Sequence, residues 1–113
     1  MVGLVRGDVV VLPFPFSDLS AAKRRPALVV ATLEGDDVIL CQITSQSTHD
    51  SNAISLDTRD FSSGSLRVAS NIRPNRLFTA DSRLVLYRVG GVSLSKLDEV
   101  VTAIIEIIST RPE

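Results

Sequence analysis

The sequence changes from strand-like to helical periodicity near its C-terminus, and this change limits the folds open to the chain. From Leu97 onward, apolar residues recur at intervals of three and four, at Leu97, Val100, Val101, Ile104, Ile105 and Ile108. This spacing predicts a helix that buries one apolar stripe. Ser95, followed three residues later by Asp98, resembles a capping box at the start of the helix.

Upstream of this helix, β-branched segments alternate with turn residues. The predicted strands are 8–13, 26–32, 37–44, 53–57, 66–70, 76–78 and 83–89, and the predicted loops are 14–25, 45–52 and 58–65. A hairpin-turn signal lies at 35–37, and Gly90-Gly91 separate the last strand from the helix. Several short strands followed by one packed helix predict a mainly β fold, a small antiparallel barrel with a C-terminal α-helix.

The length of 113 residues predicts one domain, residues 1–113. No apolar run approaches the ~20 residues of a membrane span, and the N-terminal segment lacks the pattern of a signal peptide. We therefore expect a cytoplasmic protein without a membrane partner. A single cysteine, Cys41, and a single histidine, His49, exclude an intrachain disulfide and a Cys/His metal cluster. We expect no cofactor and no metal, although a site of carboxylates alone stays open.

Charge is unevenly distributed along the chain, although the net charge is only −1. Residues 31–58 carry five acidic side chains and no Lys or Arg, whereas residues 59–88 carry six Arg and two Asp. Ten of the twelve cations are arginines, whose planar fork suits phosphate and bases better than the point charge of lysine. We expect a basic face built from residues 23–25 and 59–88. The alternative is that arginine is merely the surface cation this organism prefers.

Three consecutive cations, Lys23, Arg24 and Arg25, precede Pro26 and an apolar segment. Because proline disfavours the α region for the preceding residue, Arg25 is expected to be extended at a loop-to-strand junction. Pro26 would be the first residue of the strand, a position that tolerates a missing N–H. The constraint on its backbone singles out Arg25 as a candidate ligand of phosphate. The alternative role of the three cations is to guard the apolar strand against aggregation.

The segment 37–44 alternates in the manner of a strand. Gln42 and Thr44 share one face, and a uniformly apolar set that includes Ile43 forms the other. We expect the Ile43 face to point inward, and Gln42 and Thr44 to leave the core where a ligand reaches them. Ser45 would point inward with Ile43 if the strand continued. The alternative for Thr44 is an ordinary role as a strand residue.

A second polar patch lies at residues 70–78, where Arg73 precedes Pro74 and repeats the Arg-Pro arrangement at 25–26. The candidates for reading base edges or phosphates in this patch are Asn71, Asn75 and Arg76. The alternative is a polar connection between strands. His49, in a polar loop, is a candidate general base near neutral pH, and the alternative is that it is simply solvated.

Four segments, in their order and spacing, resemble the MazF/PemK-like toxins of type II toxin–antitoxin systems. They are GDVVVLPFPFSD, KRRPALVV, CQITSQ and ASNIRPNRLFTAD. The resemblance runs from Gly7 to about Arg88 and implies an SH3-like barrel and a homodimer. It also implies a metal-independent, sequence-specific endoribonuclease that cleaves single-stranded RNA. The products would carry a 2′,3′-cyclic phosphate or 3′-phosphate and a 5′-hydroxyl.

The resemblance also assigns residues. It implies that Arg25 is the catalytic arginine and Thr44 the catalytic threonine. Residues proposed to bind RNA around this catalytic pair are Lys23, Arg24, Gln42, Ser45, Asn71, Arg73, Asn75 and Arg76. Further possible site residues are Asp18, Ser20 and His49. Some members carry an acidic residue in the loop before the Arg-Pro, and SAAKR supplies none here. The implied protein partner is a cognate antitoxin, whose disordered acidic segment would cover the RNA groove.

Two other functions stay open on the same fold. One is a non-catalytic, protein-binding inhibitor like the gyrase-poisoning relatives, which act through residues of the C-terminal helix. The tail STRPE lacks the aromatic end that such binders use, and the chain has no Trp. The other is a degenerate toxin that retains only its antitoxin-binding surface.

Overall fold

The computed structural model describes residues 3–14, 23–45 and 50–111. The strands are β1 (Asp8–Phe14), β2 (Lys23–Thr32), β3 (Asp37–Thr44), β4 (Ile54–Leu56), β5 (Phe61–Gly64), β6 (Ser70–Asp81) and β7 (Tyr87–Val92). They pair in antiparallel fashion in the order β4-β6-β3-β2-β1-β7-β5. The sheet curls into a half-barrel, and the helix α1 (Leu94–Ser109) follows it. The predicted mainly β fold with a C-terminal helix is confirmed.

Both faces of the central strands are buried. One face packs against α1, and its buried residues include Val9, Leu28, Cys41, Ile43, Ile72, Leu97 and Val100. The opposite face has its own core, which includes Val10, Leu12, Phe14, Ala27, Val29, Val38, Leu40 and Val85. The Ile43 face of β3 points inward as expected, and the other face is also buried, at Val38 and Leu40. Leu4 and Val85, from segments outside the sheet, pack on the second face and help to exclude water from it.

The hairpin turn between β2 and β3 lies where it was predicted. Gly35 has a φ of +77°, a conformation in which glycine avoids the steric cost that a Cβ would bring. The N–H of Leu33 donates to the carbonyl of Asp37 at 3.0 Å and closes the turn. The strand 37–44 has the predicted bounds.

Three boundaries in the second half differ from the prediction. Residues 66–69 form no strand, and β6 instead runs without interruption from Ser70 to Asp81. The predicted loop 58–65 contains a 3₁₀ turn at Thr58–Asp60 and then β5. The last strand begins at Tyr87, after a second 3₁₀ turn at Ser82–Leu84, rather than at 83.

Gly90-Gly91 belong to β7 rather than separating it from the helix. Gly90 pairs with Gly64 of β5, and a Cβ on Gly90 would collide with the carbonyl of Ser63. The two backbones thus approach closely enough that only glycine fits there. The sequence pattern alone treats this glycine pair as a turn, and the close approach of β5 explains why it is strand instead.

The helix begins earlier than predicted, at Leu94. Its N-cap is Ser93, whose Oγ accepts a hydrogen bond from the N–H of Lys96 at 3.2 Å. The expected capping box at Ser95 is therefore wrong. The stripe is only partly buried, because Ile105 and Ile108 are 56% and 71% exposed. In the described part of the chain, no helix is both long and apolar enough to cross a membrane.

Candidate functional site

Strands β2 and β3 part at one end of the sheet, and the space between them forms a cleft. The last residues paired between these strands are Ala27 and Gln42. Beyond them β2 remains paired with β1, and β3 remains paired with β6. The resulting site cleft has a volume of about 220 Å³ and is lined by Lys23, Arg24, Arg25, Pro26, Ile43, Thr44 and Ser45. It contains both residues that were predicted to be catalytic.

The position of Arg25 differs from the prediction. Strand β2 begins at Lys23, so Arg25 lies inside a strand, opposite Leu12 of β1, rather than at a loop-to-strand junction. Pro26 is the fourth residue of β2 and pairs with Val11, one position before the β2–β3 ladder begins. The strand is paired on one side only at this point, which is where a strand tolerates proline. The pairing with β1 therefore holds the Arg25 backbone extended.

Arg25, Gln42 and Thr44 lie on one face of the sheet. Arg25 is two residues before Ala27, which pairs with Gln42, and Thr44 is two residues after Gln42. Because side chains alternate along strands and paired residues share a face, all three project to the same side. All three are half-buried. This is the face that carries Leu40 in its core, so the apolar surface gives way to polar groups at the site cleft.

Alternation puts Arg24 on the other face, and both Arg24 and Lys23 are exposed. Ser45 follows the last residue of β3 and is also exposed. Ser45 would have pointed inward only if the strand continued, and β3 ends before it. Of the three consecutive cations, Arg25 is the one whose side chain is partly enclosed.

Strand β6 extends the polar face and adds a bulge beside it. Asn71 pairs with Thr44 and Arg73 pairs with Gln42, but the next pair is Cys41 with Leu77. Residues 74–76, the β6 bulge, therefore have no partner position on β3. Within the bulge Pro74 is buried, whereas Asn75 and Arg76 are exposed. The second Arg-Pro pair thus lies inside a strand and not in a connection between strands.

The guanidinium of Arg73 forms an ion pair that sequence reasoning missed. Its Nη2 and Nε lie 3.1 and 3.3 Å from Oδ2 of Asp50. The two side chains are only 20% and 11% exposed. Oδ1 of Asp50 also accepts the N–H of Asn52 at 2.9 Å. This backbone hydrogen bond, together with the Arg73 guanidinium and the nearby Asn75 amide, holds the pKa of Asp50 below its ordinary value.

The arginines of residues 59–88 contribute less positive charge than expected. Four of the six are ion-paired, as Arg59–Asp57, Arg73–Asp50, Arg83–Asp81 and Arg88–Asp8. Within the described ranges, no ion pair involves Lys23, Arg24, Arg25 or Arg76. The predicted basic face is therefore too broad, because neighbouring carboxylates neutralise most of its second half. Apart from the exposed Arg67, what remains is a small cationic group around the site cleft and the β6 bulge.

Three of the candidates, Asp18, Ser20 and His49, lie outside the described residues. Cys41 is fully buried, and burial raises the pKa of its thiol to about 12. In the described part of the chain, no three His, Cys, Asp or Glu side chains come together as metal ligands would.

Comparison with known proteins yields one family match and several structural ones. A family model described as "PemK-like, MazF-like toxin of type II toxin-antitoxin system" matches residues 5–108. A search of curated protein sequences finds no match. The structural matches below are all under 25% identical to this chain, so they bear on its fold.

An endoribonuclease from a mycobacterial species, solved in complex with its cognate antitoxin, is 14% identical, with 97% of this chain and 100% of that one covered and a TM-score of 0.74. The toxin MazF-mt6 of Mycobacterium tuberculosis is 14% identical, with coverages of 93% and 99% and a TM-score of 0.71. A MazE–MazF complex from Deinococcus radiodurans is 18% identical, with coverages of 96% and 97% and a TM-score of 0.72. Each of these chains matches almost the whole of the present fold.

Proposed function

The chain belongs to the PemK-like, MazF-like toxins of type II toxin–antitoxin systems, and from this premise we propose that it is a sequence-specific endoribonuclease. Its substrate is single-stranded RNA, and its site is the cleft where β2 and β3 part. The observation that carries the proposal is the presence of Arg25 and Thr44 in one cleft, half-buried and on the same face of the sheet. The endoribonuclease among the similar structures supports it at the level of the family.

In the proposed reaction the RNA supplies its own nucleophile. The 2′-oxygen forms a bond to the adjacent phosphorus and the bond from phosphorus to the 5′-oxygen breaks. The products are a 2′,3′-cyclic phosphate, or the 3′-phosphate formed from it, and a 5′-hydroxyl. The transition state carries extra negative charge on the non-bridging oxygens. Arg25 stabilises that charge with two N–H donors, and Thr44 hydrogen-bonds the phosphate or orients the 2′-hydroxyl.

Proton transfer needs groups other than Arg25. The 2′-hydroxyl loses a proton and the 5′-oxygen gains one, whereas a guanidinium stays protonated at every working pH. Arg25 therefore acts as a charge stabiliser. His49 is the candidate for proton transfer, and it lies outside the described residues.

RNA binding is proposed around the same cleft. Lys23 and Arg24 are exposed cations at its rim, Arg76 is an exposed cation on the β6 bulge, and each suits a phosphate. The remaining proposed contacts are polar side chains that suit base edges, namely Gln42, Ser45, Asn71 and Asn75. Because this cationic group is small, only a few phosphates bind at a time.

The proposed protein partners follow from the family. Two of the similar structures contain a toxin together with its antitoxin, and we assign this chain a cognate antitoxin with an acidic segment that competes for the cationic cleft. We also propose that the toxin is a homodimer without a cofactor and that it acts in the cytoplasm, where its RNA substrate is found.

The test is cleavage of a long single-stranded RNA by purified protein in the presence of EDTA, followed by mapping of the new 5′ ends. Arg25→Ala is expected to lose at least about 100-fold in rate, as expected when a transition-state donor is removed. Arg24→Ala, on the opposite face, is expected to raise KM and retain kcat. Arg67→Ala, an exposed arginine outside the site, serves as the matched control.

Intact RNA after incubation with wild-type protein would contradict the proposal, as would equally rapid cleavage by Arg25→Ala. A protein that binds antitoxin yet leaves RNA intact would instead be a degenerate toxin. Recovery of gyrase in a pull-down, without any cleavage, would identify a protein-binding inhibitor on the same fold.

A further inference from the structure

Asp50 connects two segments of the chain beside the site cleft. Through Oδ1 it accepts the N–H of Asn52, two residues ahead. Through Oδ2 it accepts both the Nε and the Nη2 of Arg73 on β6. The side chain of Asn75 in the β6 bulge lies near the same carboxylate and helps to lower its pKa. One carboxylate thus fixes the residue before the bulge and lies beside a residue within it.

The β6 bulge needs such support, because the β3–β6 ladder does not hold it. Pairing stops at Arg73 and resumes at Leu77, so the backbone of residues 74–76 lacks partner positions on β3. Pro74 is buried, and its burial anchors the bulge to the body of the protein. Bulges beside active sites commonly serve to re-aim a side chain, and here the exposed side chains are Asn75 and Arg76.

Arg73 is poorly placed to serve as a phosphate clamp of the kind expected from the sequence. Its guanidinium is 20% exposed, and two of its N–H groups already donate to a carboxylate that is 11% exposed. The charge of the pair is therefore neutralised at close range. An incoming phosphate would have to compete with Asp50 for the same two N–H donors of the guanidinium. Arg76, by contrast, is an exposed cation.

We propose that Asp50 is a positioning residue for RNA recognition, which holds Arg73 at the start of the β6 bulge so that the bulge presents Asn75 and Arg76 to the substrate. The inference rests on the proposed ribonuclease function. It explains which residues give that ribonuclease its preference for particular RNA sequences. Asp50 does not touch the RNA. It acts through the orientation of the Asn75 amide, whose donors and acceptor suit a base edge.

The first experiment compares Asp50→Asn with the wild-type enzyme on a long RNA of mixed sequence, with all 5′ ends mapped. Asp50→Asn is expected to lower kcat/KM at the preferred sequence between about 10- and 100-fold, the loss typical of a misplaced contact. Cleavage at other sequences should rise relative to the preferred one. The matched control is Asp81→Asn, because Asp81 accepts the backbone and side chain of Arg83 in a similar way. Asp81 lies at the opposite end of the β3–β6 ladder, and its variant should retain the wild-type preference.

The second experiment asks whether Arg73 contacts phosphate. RNA binding is measured against salt concentration in an Arg25→Ala background, in which cleavage is expected to be at least about 100-fold slower, so that most of the RNA stays intact during the measurement. Adding Arg76→Gln is expected to reduce the salt slope by about one, the value for one lost phosphate contact. Adding Arg73→Gln should leave the slope of the parent unchanged. A loss of about one unit on Arg73→Gln would make Arg73 a phosphate ligand and overturn the proposal.

Asn75→Ala provides the second variant, because an exposed side chain can be truncated without unfolding the protein. It is expected to relax the cleavage preference in the same direction as Asp50→Asn, a change that a purely structural defect would not produce. A wild-type preference in Asn75→Ala, or in a folded Asp50→Asn, would refute the inference while the nuclease activity stands. If the wild-type protein neither binds nor cleaves RNA, the proposed function itself fails and this inference fails with it.

Discussion

The carboxylate of Asp8 accepts a hydrogen bond from Nε of Arg88 at 2.8 Å, which joins β1 to β7 across 80 residues of sequence. The other oxygen of Asp8 accepts the N–H of Val5 at 2.8 Å. Nη2 of Arg88 donates a second hydrogen bond, to the hydroxyl of Ser63 on β5 at 3.2 Å. The pair therefore ties three neighbouring strands together at the edge of the sheet far from β4.

Loss of Arg88 is expected to destabilise the fold more than loss of an exposed arginine. The Asp8 side chain is 5% exposed, whereas Arg88 is 46% exposed, so Arg88→Met leaves a buried carboxylate without its charged partner. We expect the free energy of unfolding to fall by about 3 kcal/mol, as for broken buried pairs. Urea denaturation measures it, and Arg67→Met should change it by less than about 0.5 kcal/mol. Equal effects of the two substitutions would contradict this reading.

Lys96 is a largely buried lysine that joins α1 to the sheet. Its side chain is 10% exposed, and its Nζ donates to the carbonyl of Ser55 at 3.0 Å and lies 3.0 Å from Glu99. Lys96→Met keeps the aliphatic stem but leaves that carbonyl without its donor, and it should lower the free energy of unfolding by about 1–3 kcal/mol. Glu99→Gln, in a side chain that is 54% exposed, should have a much smaller effect. Urea denaturation of both variants under the same conditions shows which one loses more free energy of unfolding.

The hydroxyl of Thr44, rather than its shape, is expected to matter for cleavage. Thr44→Val replaces the hydroxyl by a methyl group and should reduce kcat about 100-fold, whereas Thr44→Ser should retain most of the activity. Thr79→Val makes the same change at an exposed position of the β3–β6 ladder, opposite Ile39 and away from the cleft, and should leave kcat unaltered. Full activity in Thr44→Val would remove Thr44 from the reaction.

Stability in acid is expected to depend on Asp81. The side chain and then the backbone N–H of Arg83 lower the pKa of Asp81 from 3.8 to about 2. Since the folded state has the lower pKa, the unfolded chain binds more protons between these values. The contribution of Asp81 is therefore present above pH 3.8 and is lost as the pH falls toward 2. Asp81→Asn should differ from the wild type at pH 7 and converge with it near pH 2 in urea titrations; a constant difference would contradict this.

Local periodicity explains which features the sequence predicted. Alternation in 37–44 gave both the bounds of β3 and the shared face of Gln42 and Thr44, because each depends only on neighbouring residues. The start of the helix was misplaced because Ser93 and Ser95 are both capable caps, and the choice depends on where β7 ends.

Non-local pairing explains what the sequence could not show. The β6 bulge exists only relative to β3, so no window of residues 70–81 reveals it. The same holds for the aspartate partners of Arg73 and Arg88, which are 23 and 80 residues away in the chain. Because those partners neutralise the arginines, a charge count along the sequence overestimated the basic surface.

The end of the β2–β3 pairing at Ala27 and Gln42 also bears on how this family can vary in length. Arg25 and Thr44 share a face only because the hairpin between them has a fixed register. A single inserted or deleted residue in either strand would turn every side chain beyond it to the opposite face. Deletion of one residue between Arg25 and Ala27 would bring Arg24 into the place of Arg25. Insertions in the exposed turn at Gly35, by contrast, leave the register intact. Across descendants of this chain, gaps should therefore collect in the turns, and the two strands that border the cleft should keep their lengths.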